Sequence, residues 1–310
     1  MKYAAILRAA ADTPWAIERE KLDAIMAFLA LKASGADIDP TAAGVKMQGA
    51  PGGVRRAGAV AVIPIMGTIA HRASWLEGAS GGTSTETIAA MLRAALEDPS
   101  VASIVLDVNS PGGSVSGVPE LAAEIRAARE EKKIVAIANA SAASAAYWLA
   151  SQASEFWVTP SGKVGSIGVF AAHEDISKAL EQEGVNVTLV HAGKHKVEAN
   201  PFGPLSEDAR AAIQADVDAY YGMFTRDVAK GRGVSAAAVK SGFGEGRMVV
   251  ADRAVAEKMA DRVGTLDELL TKLVGRKQGN SMSAASNDAD DEKAIRDLTA
   301  HMRALTGGTR

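Results

Sequence analysis

From Ala57 onward, short apolar runs alternate with amphipathic stretches of helical length. Runs at Val60–Ile65, Ser103–Val108, Ile134–Ala138, Phe156–Val158, Gly168–Phe170 and Val185–Val190 read as strands. Stretches 84–97, 118–131, 143–153, 174–183 and 206–230 read as helices, and two more are expected near 250–260 and 266–274. Continuous apolar runs such as Ile104-Val105-Leu106 suit strands covered on both faces. Strands alternating with helices of this length predict right-handed crossovers and a mostly parallel sheet, an α/β fold.

The two ends differ from this middle. Leu22, Ile25, Met26 and Leu29 lie on one face of a helix predicted over 13–35, with Thr13 as N-cap, Pro14 in the first turn and Gly35 at C′. Residues 36–56 are polar and rich in Gly and Pro, which reads as a linker, so 1–56 is expected to be a helical extension and 57–275 the main domain. Residues 276–292 are too polar to form a core and read as a disordered linker. A short helix is expected at 293–305, with Ile295, Leu298, Met302 and Leu305 on one face. Arg8, Asp12, Glu18 and Arg19 interrupt the N-terminus, so no signal peptide is read. The uncharged run from Ile134 to Ser154 has spanning length but is too rich in Ser, with an Asn and a Gln, for lipid. A cytoplasmic protein without a membrane span is the expectation.

Composition narrows the chemistry. The 310 residues carry 34 basic and 37 acidic side chains, a balance that argues against nucleic-acid binding by bulk charge. The absence of cysteine excludes disulfides, iron–sulfur clusters, thiolate zinc sites and a cysteine nucleophile. There is no Walker A loop and no His-Glu-x-x-His pair, and the five histidines lack metal-ligand spacing, so no metal is expected. Gly78-Ala79-Ser80-Gly81-Gly82 fits a nucleophile-elbow pattern, but no apolar strand leads into it, and it reads as a chance match.

Three segments at predicted strand ends can carry chemistry. In Asp107-Val108-Asn109-Ser110-Pro111-Gly112-Gly113, a glycine pair follows a strand and leaves backbone N–H groups uncovered by side chains. Such donors can hold an oxyanion, although a plain strand–helix turn needs the same residues. In Ala142-Ala143-Ser144-Ala145-Ala146-Tyr147-Trp148, small residues leave room around Ser144 at the start of a helix. A nucleophilic serine would gain there, and so would simple close packing. In His191-Ala192-Gly193-Lys194-His195-Lys196, either lysine is a candidate base. A free lysine, with a pKa near about 10.4, must be desolvated for that role; the bland alternative is a solvated basic loop.

In this order and at these separations, the three segments together with Val164-Gly165-Ser166-Ile167-Gly168-Val169 resemble the S49 peptidase family. That family includes signal peptide peptidase A-like enzymes and phage prohead proteases. The resemblance covers about residues 57–272 and implies a ClpP/crotonase-type spiral of β-β-α units. It implies a Ser/Lys dyad, with Ser144 as nucleophile and Lys196 rather than Lys194 as base. It also implies Ser166 as a hydrogen-bond partner of the lysine amine, Gly112 and Gly113 at the oxyanion hole, and no cofactor. The dyad lysine can come from a neighbouring subunit, so a homo-oligomer is expected. Thr13-Pro14-Trp15-Ala16-Ile17 looks like the phage-encoded branch, which implies scaffold and capsid proteins as substrates, in the host cytoplasm or inside the prohead. Ser281-Met282-Ser283 would fit the start of a scaffold segment. The alternatives are a soluble bacterial signal-peptide-peptidase-like protease, a crotonase-like acyl-CoA enzyme, a non-catalytic capsid assembly factor, and a Ser/His/Asp triad using His173 and Asp175.

Overall fold

The apolar runs of the middle region pair as a sheet whose two faces are both buried. In this computed structural model, which describes residues 14–33, 53–72 and 82–275, the central strands are β3 (Val60–Met66), β6 (Ser103–Ser110) and β8 (Lys133–Ala143). They run parallel, in register from Val60↔Ser103 and Ser103↔Lys133. β2 (Arg55–Ala57) and β11 (Met248–Val250) close the sheet antiparallel at its two edges, and β9 (Glu155–Val158), β10 (Lys163–Gly165) and β12 (Arg262–Val263) complete its eight strands. The strand period of two divides the side chains between two cores. Ile104, Leu106, Ile134 and Ala136 face helices α2 (Thr85–Glu97), α3 (Val118–Ala128), α4 (Ala145–Ala150) and α6 (Glu207–Arg232). Val105, Val135 and Ile137 face α9 (Leu266–Gly275). The expected α/β architecture with a mostly parallel sheet is therefore what the chain forms.

Local chemistry sets the element ends. Ser84 caps α2 by accepting from the Thr87 N–H, and Ser206 caps α6 by accepting from the Ala209 N–H. Gly233 ends α6 in the left-handed conformation. β8 carries an irregularity at Ala140, whose φ is 107°, and beyond it Ser141–Ala143 leave the β9 side to pair with β10. Helices α5 (Ser177–Gln182), α7 (Ala236–Ser241) and α8 (Ala251–Ala256) complete the chain. A second, four-stranded sheet is built in the order β1 (Trp15–Ile17), β7 (Gly112–Ser114), β4 (Ile69–Ala70), β5 (Thr83–Ser84).

Three sequence expectations are corrected. The N-terminal helix, α1 (Arg19–Ala33), does not begin near Thr13. Trp15–Ile17 form a strand instead, because β7 offers them an unpaired edge, and Glu18 donates its N–H to the Pro111 carbonyl before the helix starts. Residues 185–190 form no strand: their apolar–polar alternation is real, but no strand among the described residues pairs with them, and Val185, Val187, Leu189 and Val190 are exposed. Gly168–Phe170 contributes a single bridge, Phe170 to Trp15. Thr13, Gly35, most of the 36–56 linker, the Gly78–Gly81 part of the elbow match and the 276–310 tail lie outside the described residues. No helix among the described residues is long and apolar enough to cross a membrane.

Candidate active site

β8 ends at Ala143, and the chain turns through Ser144 directly into α4. Ser144 has φ 52° and ψ −117°, a conformation that costs a non-glycine residue of order 1–3 kcal/mol and persists only when its surroundings over-determine it. They do so here from both sides. The Ser144 N–H donates to the Gly165 carbonyl at 2.7 Å, and the Trp148 N–H closes the first helical turn on the Ser144 carbonyl at 2.9 Å. Trp148 is itself fixed by stacking on Phe224, with ring centroids 4.4 Å apart, and by donating its indole N–H to Asp227. Ala142, Ala143, Ala145 and Ala146 are fully buried, so their small size is used for close packing and for the tight turn alike.

The Ser144 hydroxyl is held loosely by comparison. It donates to the Gly168 carbonyl at 3.4 Å, near the limit for a hydrogen bond, and the residue is only 1% exposed. Gly112 lies against it: a Cβ at Gly112 would stand 3.0 Å from the Ser144 Cβ and 2.2 Å from the Ala16 carbonyl oxygen, and its φ is 97°. A side chain at Gly113 would meet the Ile69 carbonyl oxygen at 1.8 Å. Both glycines are thus required by close backbone approach. Ser110, whose role the sequence reading missed, orders the pair by donating to the Gly67 carbonyl at 2.6 Å and accepting the Gly112 N–H at 3.1 Å. Ser166 sits half-buried at φ 54° and donates its N–H to the Arg247 carbonyl, between the two carbonyls that receive the Ser144 N–H and hydroxyl. Nothing short of the folded chain reveals that Gly165 and Gly168 act through their carbonyls.

Ser144, Gly112, Gly113 and Ser166 are therefore neighbours. No hydrogen bond joins the Lys196 side chain to any of them. Lys196 is exposed, as is Lys194, and its side chain makes no hydrogen bond or ion pair to a described residue. It lines a cavity of about 740 Å³ together with Pro14, His173, Asn200 and Phe202, and Ser144 does not line that cavity. The His173/Asp175 alternative is not assembled on Ser144 either. His173 Nε2 pairs with the Gly203 carbonyl, and Asp175 accepts from Ser177, which holds its carboxyl below the ordinary range. One further ionisable group went unnoticed in the sequence. Asp107, on β6, is buried, and that burial pushes its carboxyl up to about 7 against the opposing effects of a hydrogen bond to Asn139 and the charge of Arg55. Among the described residues, no cluster of His, Asp and Glu is arranged to hold a metal ion. A hydroxyl on a strained strand–helix turn beside backbone glycine amides is an arrangement suited to acyl transfer.

Comparison with known proteins gives the same direction. Residues 126–279 match the family model "Peptidase family S49", a span that holds Ser144, Ser166 and Lys196. The chain is 37% identical over 245 residues to capsid assembly protease C of Escherichia phage lambda, covering 74% of this chain and 56% of the relative. It is 34% identical over 226 residues to head-tail preconnector protein GP5 of Enterobacteria phage P21, covering 72% of this chain and 45% of the relative. Protease 4 of Haemophilus influenzae is 29% identical over 227 residues, covering 72% of this chain and 36% of the relative. The chain thus spans about half the length of the phage relatives it matches. With the family model spanning Ser144, Ser166 and Lys196, and the phage relatives matching over 72–74% of this chain, the chain belongs to peptidase family S49.

Proposed function

We propose that this chain is a serine endopeptidase in which Ser144 attacks the peptide carbonyl and Lys196 is the general base. The observation that carries the reading is the placement of Ser144: a buried hydroxyl on a strained turn, loosely bonded and packed against the glycine pair. In the proposed reaction a neutral Lys196 amine takes the Ser144 proton as the C–O bond forms. Backbone N–H groups at Gly112 and Gly113 stabilise the tetrahedral oxyanion, and the lysine ammonium returns its proton to the leaving amine. Water, activated by the same amine, then releases the acyl group. Ser166 would orient the amine, its hydroxyl making no hydrogen bond to a described residue.

An exposed lysine cannot do this in the isolated chain, because only a desolvated amine gives up its proton near neutral pH. The dyad is therefore read as completed by a second copy, in a homo-oligomer that buries the loop bearing Lys196. The neighbouring 185–190 segment supports this: it joins no strand among the described residues and exposes Val185, Val187, Leu189 and Val190, a surface that another protomer would cover. The names of the phage relatives, a capsid assembly protease and a head-tail preconnector protein, support capsid proteins as substrates; scaffold proteins, and cleavage inside the forming head in the host cytoplasm, belong to the same proposal. The test is mass spectrometry of wild type and Ser144→Ala, each incubated alone and with casein. Cleavage by wild type that vanishes in Ser144→Ala supports the assignment. Equal cleavage by both removes Ser144 as the nucleophile.

A further inference from the structure

The Ser144 hydroxyl is closed from solvent, and one element that lies against it is part of the chain's own N-terminal region. β1 pairs antiparallel with β7 in the register Trp15↔Ser114, Ala16↔Gly113, Ile17↔Gly112. The Val115 N–H donates to the Pro14 carbonyl at 3.2 Å, and the Glu18 N–H donates to the Pro111 carbonyl at 2.8 Å. Hydrogen-bonded and non-bonded pairs alternate along an antiparallel ladder. Ala16 and Gly113 are therefore the bonded pair between those two, and the Gly113 N–H donates to the Ala16 carbonyl. A methyl group added at Gly112 would touch both that carbonyl oxygen and the Ser144 Cβ. On its other edge β1 exchanges two hydrogen bonds with Phe170, from the Trp15 N–H at 2.9 Å and from the Phe170 N–H at 3.0 Å.

We infer that Pro14–Glu18 are an inhibitory strap: a stretch of the chain lying as an extended peptide along the β7 edge, with its Ala16 carbonyl on the Gly113 amide beside Ser144. This inference rests on the reading of Ser144 and Gly113 as catalytic groups and adds how that site is held closed. While β1 is in place, the Gly113 donor is spent and both flanking edges are paired, so an extended substrate has no backbone to add to. The strap is also built to detach. Its paired part, β1, is three residues long; Trp15 and Ile17 bury their side chains with Leu22, Ile25 and Ala70 in a small cluster separate from both main cores, and only the Ala16 methyl reaches the main core. A satellite cluster of that size can open without unfolding the sheet.

The chain has no cysteine, so one engineered disulfide can lock the strap without competing thiols. Trp15 and Ser114 form a non-hydrogen-bonded pair, whose Cα spacing of about 4.5 Å falls within the range a disulfide accepts. In the full-length Trp15→Cys/Ser114→Cys variant, the oxidised form is expected to hydrolyse fluorogenic casein about tenfold or more slowly than the reduced form, since the competent fraction falls. Wild type is the control for oxidant and reductant, and equal rates in the two redox forms of the variant overturn the strap. A second readout is independent of cleavage. In the same variant carrying Ser144→Ala, a fluorescent peptide with the sequence of residues 13–18 is expected to bind the reduced form about tenfold more tightly than the oxidised form. Equal binding, or none in either form, overturns the strap. Loss of all hydrolysis with this binding difference intact would count against the peptidase reading and leave the strap standing. Should the paired cysteines prevent folding, Ala16→Pro removes one amide of the ladder, and hydrolysis several-fold faster than wild type is expected, with an equal rate overturning the proposal.

Discussion

Ser144 and Asp107 show how the folded chain changes what a side chain is. Ser144 is one serine among several in a stretch of small residues, and its identity as a candidate rests on a backbone conformation that two carbonyl–amide bonds impose. Removing its hydroxyl should lower cleavage by about 10³-fold or more, the scale seen when a nucleophile is lost, with the fold unchanged. Quantifying product by mass spectrometry over a time course of wild type and Ser144→Ala would check this. Asp107 gives a pH prediction. Its carboxyl moves from an ordinary 3.8 to about 7 on folding, chiefly through burial, so the native state holds the proton more tightly between those values. The stability it contributes is complete below about pH 4 and is lost as the pH rises through about 7. Asp107→Asn should therefore gain on wild type steadily from pH 4 to pH 8 in urea-unfolding midpoints. A difference that stays constant over that range would show that the carboxyl is not strained by burial.

Helix α4 is only six residues long, yet it sets the direction of the Ser144 turn, so the stack of Trp148 on Phe224 matters beyond its area. Phe224, fully buried on α6, is the piece of the second helix that fixes the first. Phe224→Ala should cost about 3–5 kcal/mol of stability. It should also slow cleavage more than it weakens substrate binding, because the turn loses its support. Chemical denaturation gives the first quantity and separate kcat and KM values give the second; a loss confined to KM would separate α6 from the turn. Strand and helix identities were legible in the sequence for β3, β6, β8 and α2 because each is long enough to show its period and ends in a recognisable cap or turn. β1, β4, β5 and β7 were not legible. Each is two or three residues long, below the length at which a period shows, and each exists only because another short strand lies beside it.

For the whole molecule, the proposed dyad turns on Ser144 and an exposed Lys196, which no hydrogen bond joins within the chain. If a second copy supplies the lysine, two inactive variants should rescue one another. Mixing Ser144→Ala with Lys196→Ala, after dissociation and reassembly, should restore activity at roughly a quarter of the sites in a randomly mixed symmetric oligomer. A mixture as inactive as its parts would require each protomer to use its own lysine. The exposed apolar residues of 185–190 belong to the same question, since this segment alternates like a strand but pairs with no strand among the described residues, and in the proposed assembly it would offer an apolar surface to a neighbour.

The sequence by itself determined the alternation of strands and helices and the two-sided burial of the parallel sheet, because periodicity acts along one element; turn glycines and small residues marked Gly112, Gly113 and Ser144 as candidates, while Ser166 came only from the resemblance to a family. The tertiary structure decided which backbone groups those residues meet. It turned Trp15–Ile17 from the start of a helix into a strand on the glycine pair, because the unpaired β7 edge outweighs a local helical preference. It also left Lys196 in solvent, because bringing that loop to a serine depends on what packs around it, and no pattern along the chain encodes a surface that a neighbouring protomer would bury.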